Sequence, residues 1–304
     1  MTVPSAATIF APAKVNLYLH VGPVQPDGRH PLDSLVVFAD HKAADRLAWR
    51  PSDTPLSLIV ETGAQDALGP VEDNLIMRAA RLLEARTGRT FSGELLLDKR
   101  LPVAAGIGGG SSDAAACLHL LNAVHALGVS KSDLIAMSVP LGGDVPACVA
   151  GEPVLMRGDG DRLEVPNAEI PSLFALLVTP PVLCPTGPVF RGFDAVEPLK
   201  PFKEMAPPSH TDPILFMKAL ASEYGNDLQC PAIALHSEIH ATLERLQRVE
   251  GARFTAMSGS GATCFALFEN EASLLRAEQK FQAQNPAFWV AATKLGTAGF
   301  DLSA

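Results

Sequence analysis

The segment Leu101–Ala116 reads LPVAAGIGGGSSDAAA and constrains this chain more than any other stretch. Gly106, Gly108, Gly109 and Gly110 fall within five positions, followed at once by Ser111, Ser112 and a run of helix formers. Glycine tolerates positive φ and lets a backbone approach another group closely. A glycine cluster that opens a helix builds a cup of backbone N–H groups at the positive end of the helix dipole, which suits an anion and above all a phosphate. Spacing narrows the kind of cup. The P-loop pattern G-x-x-x-x-G-K-[ST] is absent, because serines and no lysine follow the glycines. The dinucleotide pattern G-x-G-x-x-G begins at Gly106 and Gly108 but has Ser111 in its third position. Its acidic partner about 20 residues on is missing from Val129–Lys131. These departures argue against a Rossmann oxidoreductase and leave a third kind of phosphate cradle.

The elements around the loop follow from periodicity. Ile9–Val21 alternates as a strand, with Val15, Leu17, Leu19 and Val21 on one face and Lys14, Asn16, Tyr18 and His20 on the other. By itself that polar face reads as a solvated strand surface. Gln25–His30 is a turn, and Leu35–Ala39 and Leu56–Val60 read as strands. Asp73 or Asn74 caps a helix over Leu75–Thr87 that Gly88 closes, and Glu94–Leu97 is a strand feeding the glycine loop. Helices are predicted over Ser111–Leu127 and Ser132–Ser138. Asp144 lies in the turn Pro140–Pro146, where it is either a turn former or a displayed carboxylate. Prolines crowd Pro171–Pro213, which predicts loops and a domain changeover around the strand Phe174–Val178. Helices near Pro213–Glu223 and Ala232–Arg248, strands Arg253–Met257 and Thr263–Phe268 around the turn Ser258–Gly261, a helix over Glu271–Gln284 and a strand Phe288–Thr293 follow. That order predicts an antiparallel sheet with helices on one face.

A chain of 304 residues is long enough for two domains, each with a core. A net charge of −9 argues against nucleic acid as a partner. No apolar run approaches the ~20 residues that cross a bilayer, and MTVPSAATIF lacks the features of a signal peptide, so no membrane partner is expected. Cys117, Cys148, Cys184, Cys230 and Cys264 are scattered and form no C-x-x-C pair, a pattern that predicts reduced thiols in a cytoplasmic protein.

Taken together, Ala11-Pro12-Ala13-Lys14-Val15-Asn16-Leu17, Asp27–His30, Gly106–Ala115, Leu141–Pro146, Asn226-Asp227-Leu228 and Ser258–Ala262 resemble the motifs of the GHMP kinase superfamily, in the family's order and across nearly the whole chain. The resemblance implies an α+β protein of two domains, residues 1–168 as an N-terminal α/β domain (ribosomal S5 domain 2-like, with a left-handed βαβ unit) and residues 169–304 as a ferredoxin-like C-terminal domain. It implies a site in the cleft between them, ATP as phosphoryl donor, Mg²⁺, and a small-molecule acceptor, a cytidine diphosphate-linked methylerythritol phosphorylated on its 2-hydroxyl. The product would feed isoprenoid synthesis. The state expected is a monomer or weak homodimer. Another GHMP small-molecule kinase, or a silent ligand-binding member of the fold, is the alternative.

Carried over residue by residue, the resemblance puts the catalytic pair on Lys14 and Asp144. A lysine beside a carboxylate keeps it ionised, ready to accept the hydroxyl proton or to orient the hydroxyl. Pro102, Val103, Ala104, Ala105, Gly106, Ile107, Gly108, Gly109, Gly110, Ser111 and Ser112 would wrap the ATP phosphates, with Ser112 also a candidate Mg²⁺ ligand. Asn16 and His30 would read the cytidine, with Phe190 as an aromatic wall and Thr186 as a polar contact. The family commonly has a tyrosine where this chain has Arg29. A guanidinium also stacks on a base, so Arg29 and Phe190 are expected to sandwich the cytosine.

Overall fold

The computed structural model describes residues 6–61, 70–196, 202–296 and 302–303. In chain order its strands are β1 (Ala7–Pro12), β2 (Lys14–Val21), β3 (Leu32–Phe38), β4 (Ala44–Pro55), β5 (Ser57–Val60), β6 (Ser92–Asp98), β7 (Val154–Gly158), β8 (Arg162–Glu164), β9 (Leu173–Thr179), β10 (Ala252–Met257), β11 (Cys264–Phe268), β12 (Trp289–Leu295) and β13 (Leu302–Ser303). The α-helices are α1 (Leu75–Thr87), α2 (Gly109–Val124), α3 (Lys131–Ser138), α4 (Val145–Ala150), α5 (Thr186–Asp194), α6 (Pro213–Glu223), α7 (Gln229–Leu235), α8 (Ser237–Gln247) and α9 (Glu271–Gln284).

The stretch expected as one strand from Ile9 to Val21 is two, in different sheets. Pro12 has no N–H to continue a ladder, and beyond it Ala13 donates to Ala43 O at 2.9 Å before β2 turns into its own sheet. β1 lies in a five-stranded sheet of order β13-β1-β4-β6-β5, where β5 and β6 run parallel through α1 as a βαβ unit. β2 lies in a four-stranded sheet of order β2-β3-β7-β8. α1 keeps its expected bounds because its ends are local: Asn74 Oδ1 accepts from Ile76 N, and Gly88 closes the helix at φ 65°.

The C-terminal sheet has the order β10-β11-β9-β12, with every pairing antiparallel. With helices between β9 and β10 and between β11 and β12, this is the expected ferredoxin-like arrangement. The two halves share apolar packing. Val15, Leu17, Leu35 and Val37 of the second sheet form one cluster with Ala175, Leu177, Phe265 and Leu267 of the third and with Phe216 and Leu220 of α6. Leu302–Ser303 returns to pair with Thr8 and Ile9, so the end of the chain joins the first sheet.

Two expectations are corrected in the proline-rich region and beyond it. The segment after Pro185 is a helix, α5, rather than a loop, because Pro188 falls in its first turn, where a missing N–H leaves no intrahelical bond unmade. The helix expected over Ala232–Arg248 breaks at His236, which is extended at φ −140°, giving α7 and α8. Among the described residues no helix is long and apolar enough to cross a membrane.

Candidate active site

The glycine loop enters α2 two residues earlier than periodicity predicts. Gly108 is left-handed at φ 63° and is the residue before the first turn, so Gly109, Gly110 and Ser111 supply the unpaired N–H groups of the helix start. The loop presses on β2. A Cβ at Gly108 would lie 3.1 Å from Lys14 Cβ, and Lys14 N donates to Ile107 O at 2.9 Å. Lys14 is therefore only 3% exposed and Asn16 2%, which rules out a solvated strand face.

Lys14 Nζ donates to Asp144 Oδ1 at 2.8 Å. Asp144 stands immediately before α4, and its side chain is 37% exposed, so the carboxylate bridges a buried cation and open space. Both line a cavity of about 500 Å³ together with Asn16, Pro102–Gly106, Gly108–Ser111, Thr186 and Phe190. Asn16 Nδ2 donates to Ser34 Oγ at 2.8 Å, while its buried Oδ1 has no partner among the described residues. That orphaned acceptor is a ready contact for a ligand donor.

Not every expected residue meets the cavity. Ile107 is buried behind the loop. Ser112 is fully buried, and its hydroxyl donates to Pro12 O at 2.6 Å, so it braces α2 against β1 while Ser111 lines the cavity. Arg29 and His30 lie in an adjoining recess of about 400 Å³ that shares Leu32, Asp159 and Phe190 with the cavity. The Arg29 side chain is 68% exposed, with Nη1 3.4 Å from Asp159 Oδ2. The ring next to Phe190 is that of His30, at 5.0 Å between centroids. His30 Nδ1 is 3.0 Å from Gly22 O, and its Nε2 is 3.5 Å from Asp194 Oδ1. Thr186 Oγ1 is 3.0 Å from Ser260 Oγ.

Sequence reading missed the support beneath the loop. Lys99 Nζ donates to Asp45 Oδ2 at 2.5 Å and to Asp113 Oδ2 at 2.7 Å, and all three are buried. Asp45 Oδ1 accepts from Arg100 N and Leu101 N at 2.6 and 2.8 Å, which fixes the start of the glycine loop. Burial lowers the Lys99 pKa, but the two carboxylates outweigh it and the net shift is upward. Burial, helped by Asp45 and opposed by Lys99, pushes the Asp113 carboxyl up to about 7. An acid raised in this way keeps its proton when folded and has lost it when unfolded. Between pH 3.8 and about 7 its contribution to stability therefore falls as pH rises. Asp113→Asn is expected to flatten that fall, whose slope for one proton is at most about 1.4 kcal/mol per pH unit, as urea unfolding across that range would record.

The second glycine turn, Ser258–Gly261, packs on the first. Ser258 Oγ donates to Gly106 O at 3.1 Å, Thr263 N donates to Ala105 O at 3.0 Å, and Asn16 N donates to Ser258 Oγ at 3.2 Å. A Cβ on Gly106, at φ +72°, would stand 2.6 Å from Ser258 O. Asn226 anchors this turn by donating through Nδ2 to Met257 O and Gly259 O, each at 2.8 Å. Asn226→Ala removes both bonds, and the expected result is destabilisation of about 1–3 kcal/mol with weaker binding of a ligand in the cavity, measured by thermal unfolding and titration. Unchanged stability and binding would show that the turn holds without Asn226.

The chain matches known proteins over its length. The model for the GHMP kinases N terminal domain matches residues 74–152, and that for the GHMP kinases C terminal matches residues 205–287. A 4-diphosphocytidyl-2-C-methyl-D-erythritol kinase of Hyphomonas neptunium is 47% identical over 299 residues, covering 98% of this chain and 99% of the relative. The protein of that name from Methylobacterium radiotolerans is 44% identical, covering 94% and 97%. A crystal structure of 4-(cytidine 5'-diphospho)-2C-methyl-D-erythritol kinase superposes with a TM-score of 0.76 at 34% identity, covering 96% of this chain and 100% of that one. A homoserine kinase from Cytophaga hutchinsonii shares the fold, with a TM-score of 0.73 at 18% identity over 100% and 99% of the two chains. The chain belongs to the GHMP kinase family, on the branch whose curated members carry the name 4-diphosphocytidyl-2-C-methyl-D-erythritol kinase.

Proposed function

We propose that this chain transfers the γ-phosphoryl group of ATP to the 2-hydroxyl of 4-diphosphocytidyl-2-C-methyl-D-erythritol, a step towards isoprenoids by the non-mevalonate route. The observation that carries the chemistry is the 2.8 Å contact of Lys14 with Asp144 in a cavity lined by the glycine cradle. The names of relatives over 40% identical supply the acceptor.

Phosphoryl transfer asks a protein for positioning and charge stabilisation. The N–H groups at the start of α2 receive the triphosphate. The acceptor hydroxyl approaches Asp144, which takes its proton as the oxygen bonds to the γ-phosphorus and ADP leaves. Lys14 fixes the rotamer of the carboxylate through the 2.8 Å contact and offsets charge on the transferring group. Among the described residues no group of three or more His, Cys, Asp or Glu side chains could hold a metal ion. The cavity instead offers the carboxylates of Asp144 and Asp159 and the hydroxyl of Ser111 among its lining groups. That sparse set fits Mg²⁺, which is commonly held by one or two carboxylates, waters and the phosphates themselves. When bound, it neutralises phosphate charge.

The cytosine enters the recess beside Phe190, with Arg29 swinging from Asp159 to cover its other face. Arg29→Ala is then expected to raise the acceptor KM by about tenfold and to leave the KM for ATP unchanged. An unchanged acceptor KM would remove Arg29 from recognition. The five cysteines are free thiols, which suits a reducing compartment such as the cytoplasm. ADP release measured with the diphosphocytidyl acceptor, mevalonate, homoserine and galactose in turn tests the whole reading. Turnover with the first alone is the expected result. Turnover with another acceptor would point to a different small-molecule kinase, and none at all to a ligand-binding protein.

A further inference from the structure

A second concavity, of about 700 Å³, lies between the end of α8 and the flank of α9 and shares no lining residue with the active-site cavity. Arg245 and Arg248 enter it from one side and Arg276 and Lys280 from the other, and Glu250 is the one acidic residue lining it. The chain carries a net charge of −9, so this cluster runs against the overall balance. Some exposed cations elsewhere have a carboxylate nearby, as Lys42 has Glu271, Lys131 has Glu152 and Arg253 has Glu269, while others such as Arg86, Lys218 and Lys294 have none within 4 Å among the described residues. What sets this groove apart is that four cations share one concavity. Among the described residues Arg245, Arg276 and Lys280 have no carboxylate within 4 Å, and Arg248 has Glu244 at 3.5 Å.

The bland explanation covers only half of the cluster. Cations favour a helix C-terminus, which accounts for Arg245 and Arg248 at the end of α8. Arg276 and Lys280 sit in the middle of α9, four residues apart, where like charges destabilise a helix. Two like-charged pairs facing one groove repel each other unless an anion sits between them. Two of the guanidinium groups are already held: Arg276 Nη2 donates to Ser273 Oγ at 3.2 Å, and Arg245 lies 5.5 Å from the centre of the Phe288 ring. Buried Phe281 gives the groove an apolar floor.

We propose that this groove is a second anion site that takes a small polyphosphate, free or as an organic ester. Arginine forks match phosphate oxygens in pairs, and four cations in one concavity favour two or more linked phosphates over a single one. Nothing in this proposal depends on the kinase reading.

The test is calorimetric titration of the full chain with inorganic diphosphate, and separately with ADP, for wild type, Arg276→Gln/Lys280→Gln and Arg245→Gln/Arg248→Gln. All four positions are exposed, so both double variants should fold. In each, one diphosphate binding event is expected to weaken by about tenfold or more, and to be screened by salt in the wild type. Any event at the glycine cradle should remain and serves as an internal control. Tighter binding of ADP than of diphosphate at the distal event would assign a nucleotide, and equal binding would assign recognition of phosphate alone. Wild-type titrations that neither double variant changes would overturn the proposal, whatever acidic macromolecule the surface captures.

Discussion

Asp144→Asn is expected to lower kcat for phosphoryl transfer by about 10²–10⁴-fold while changing the KM for ATP little. The amide keeps the shape of the carboxylate and an oxygen that can still accept from Lys14 Nζ, which in the native chain donates to Asp144 Oδ1 at 2.8 Å. What it loses is the basic site for the hydroxyl proton. Steady-state kinetics beside a thermal melt would separate the effects, since loss of turnover without loss of folding is the signature of a proton acceptor. A kcat within about threefold of wild type would reduce Asp144 to a group that only orients the hydroxyl.

The second large effect is on stability. Lys99→Met leaves the carboxylates of Asp45 and Asp113 buried together without their shared cation. Breaking a buried ion pair from one side costs about 3–5 kcal/mol, roughly 5–10 °C in Tm for a chain of this size. Loss of the anchor at Arg100 and Leu101 should also loosen the glycine cradle and weaken nucleotide binding. Lys99→Met/Asp113→Asn should recover part of the loss, because the second buried carboxyl can then no longer ionise beside Asp45. A melt of Lys99→Met that matches wild type would show the triad to be dispensable.

What could be read from sequence was what is encoded locally. Leu75–Thr87, Pro213–Glu223 and Glu271–Gln284 appear with their expected bounds because each carries its own cap, with Asn74, Asp212 and Asn270 accepting from the first turn. β4, β7 and β8 were not legible, since their alternation is broken by charges and prolines and their pairing lies with distant strands. The triad of Asp45, Lys99 and Asp113 joins positions 54 and 14 residues apart, and no local pattern marks it. The Lys14–Asp144 contact spans 130 residues and was reached through family resemblance. Ser112 shows the limit of a motif: its place in the loop suggested a ligand, whereas the helix phase turns it toward Pro12.

The reaction itself leaves a signature in the ³¹P spectrum of the product. The 2-carbon of the methylerythritol unit bears a methyl group in place of hydrogen. Transfer to its hydroxyl therefore yields ADP and a new phosphomonoester resonance without three-bond coupling to a carbinol hydrogen. That singlet, appearing in step with ADP for wild type and lost in Asp144→Asn, is the expected result. A phosphomonoester signal split by a carbinol hydrogen, or release of inorganic phosphate in its place, would contradict the assignment of acceptor and site together.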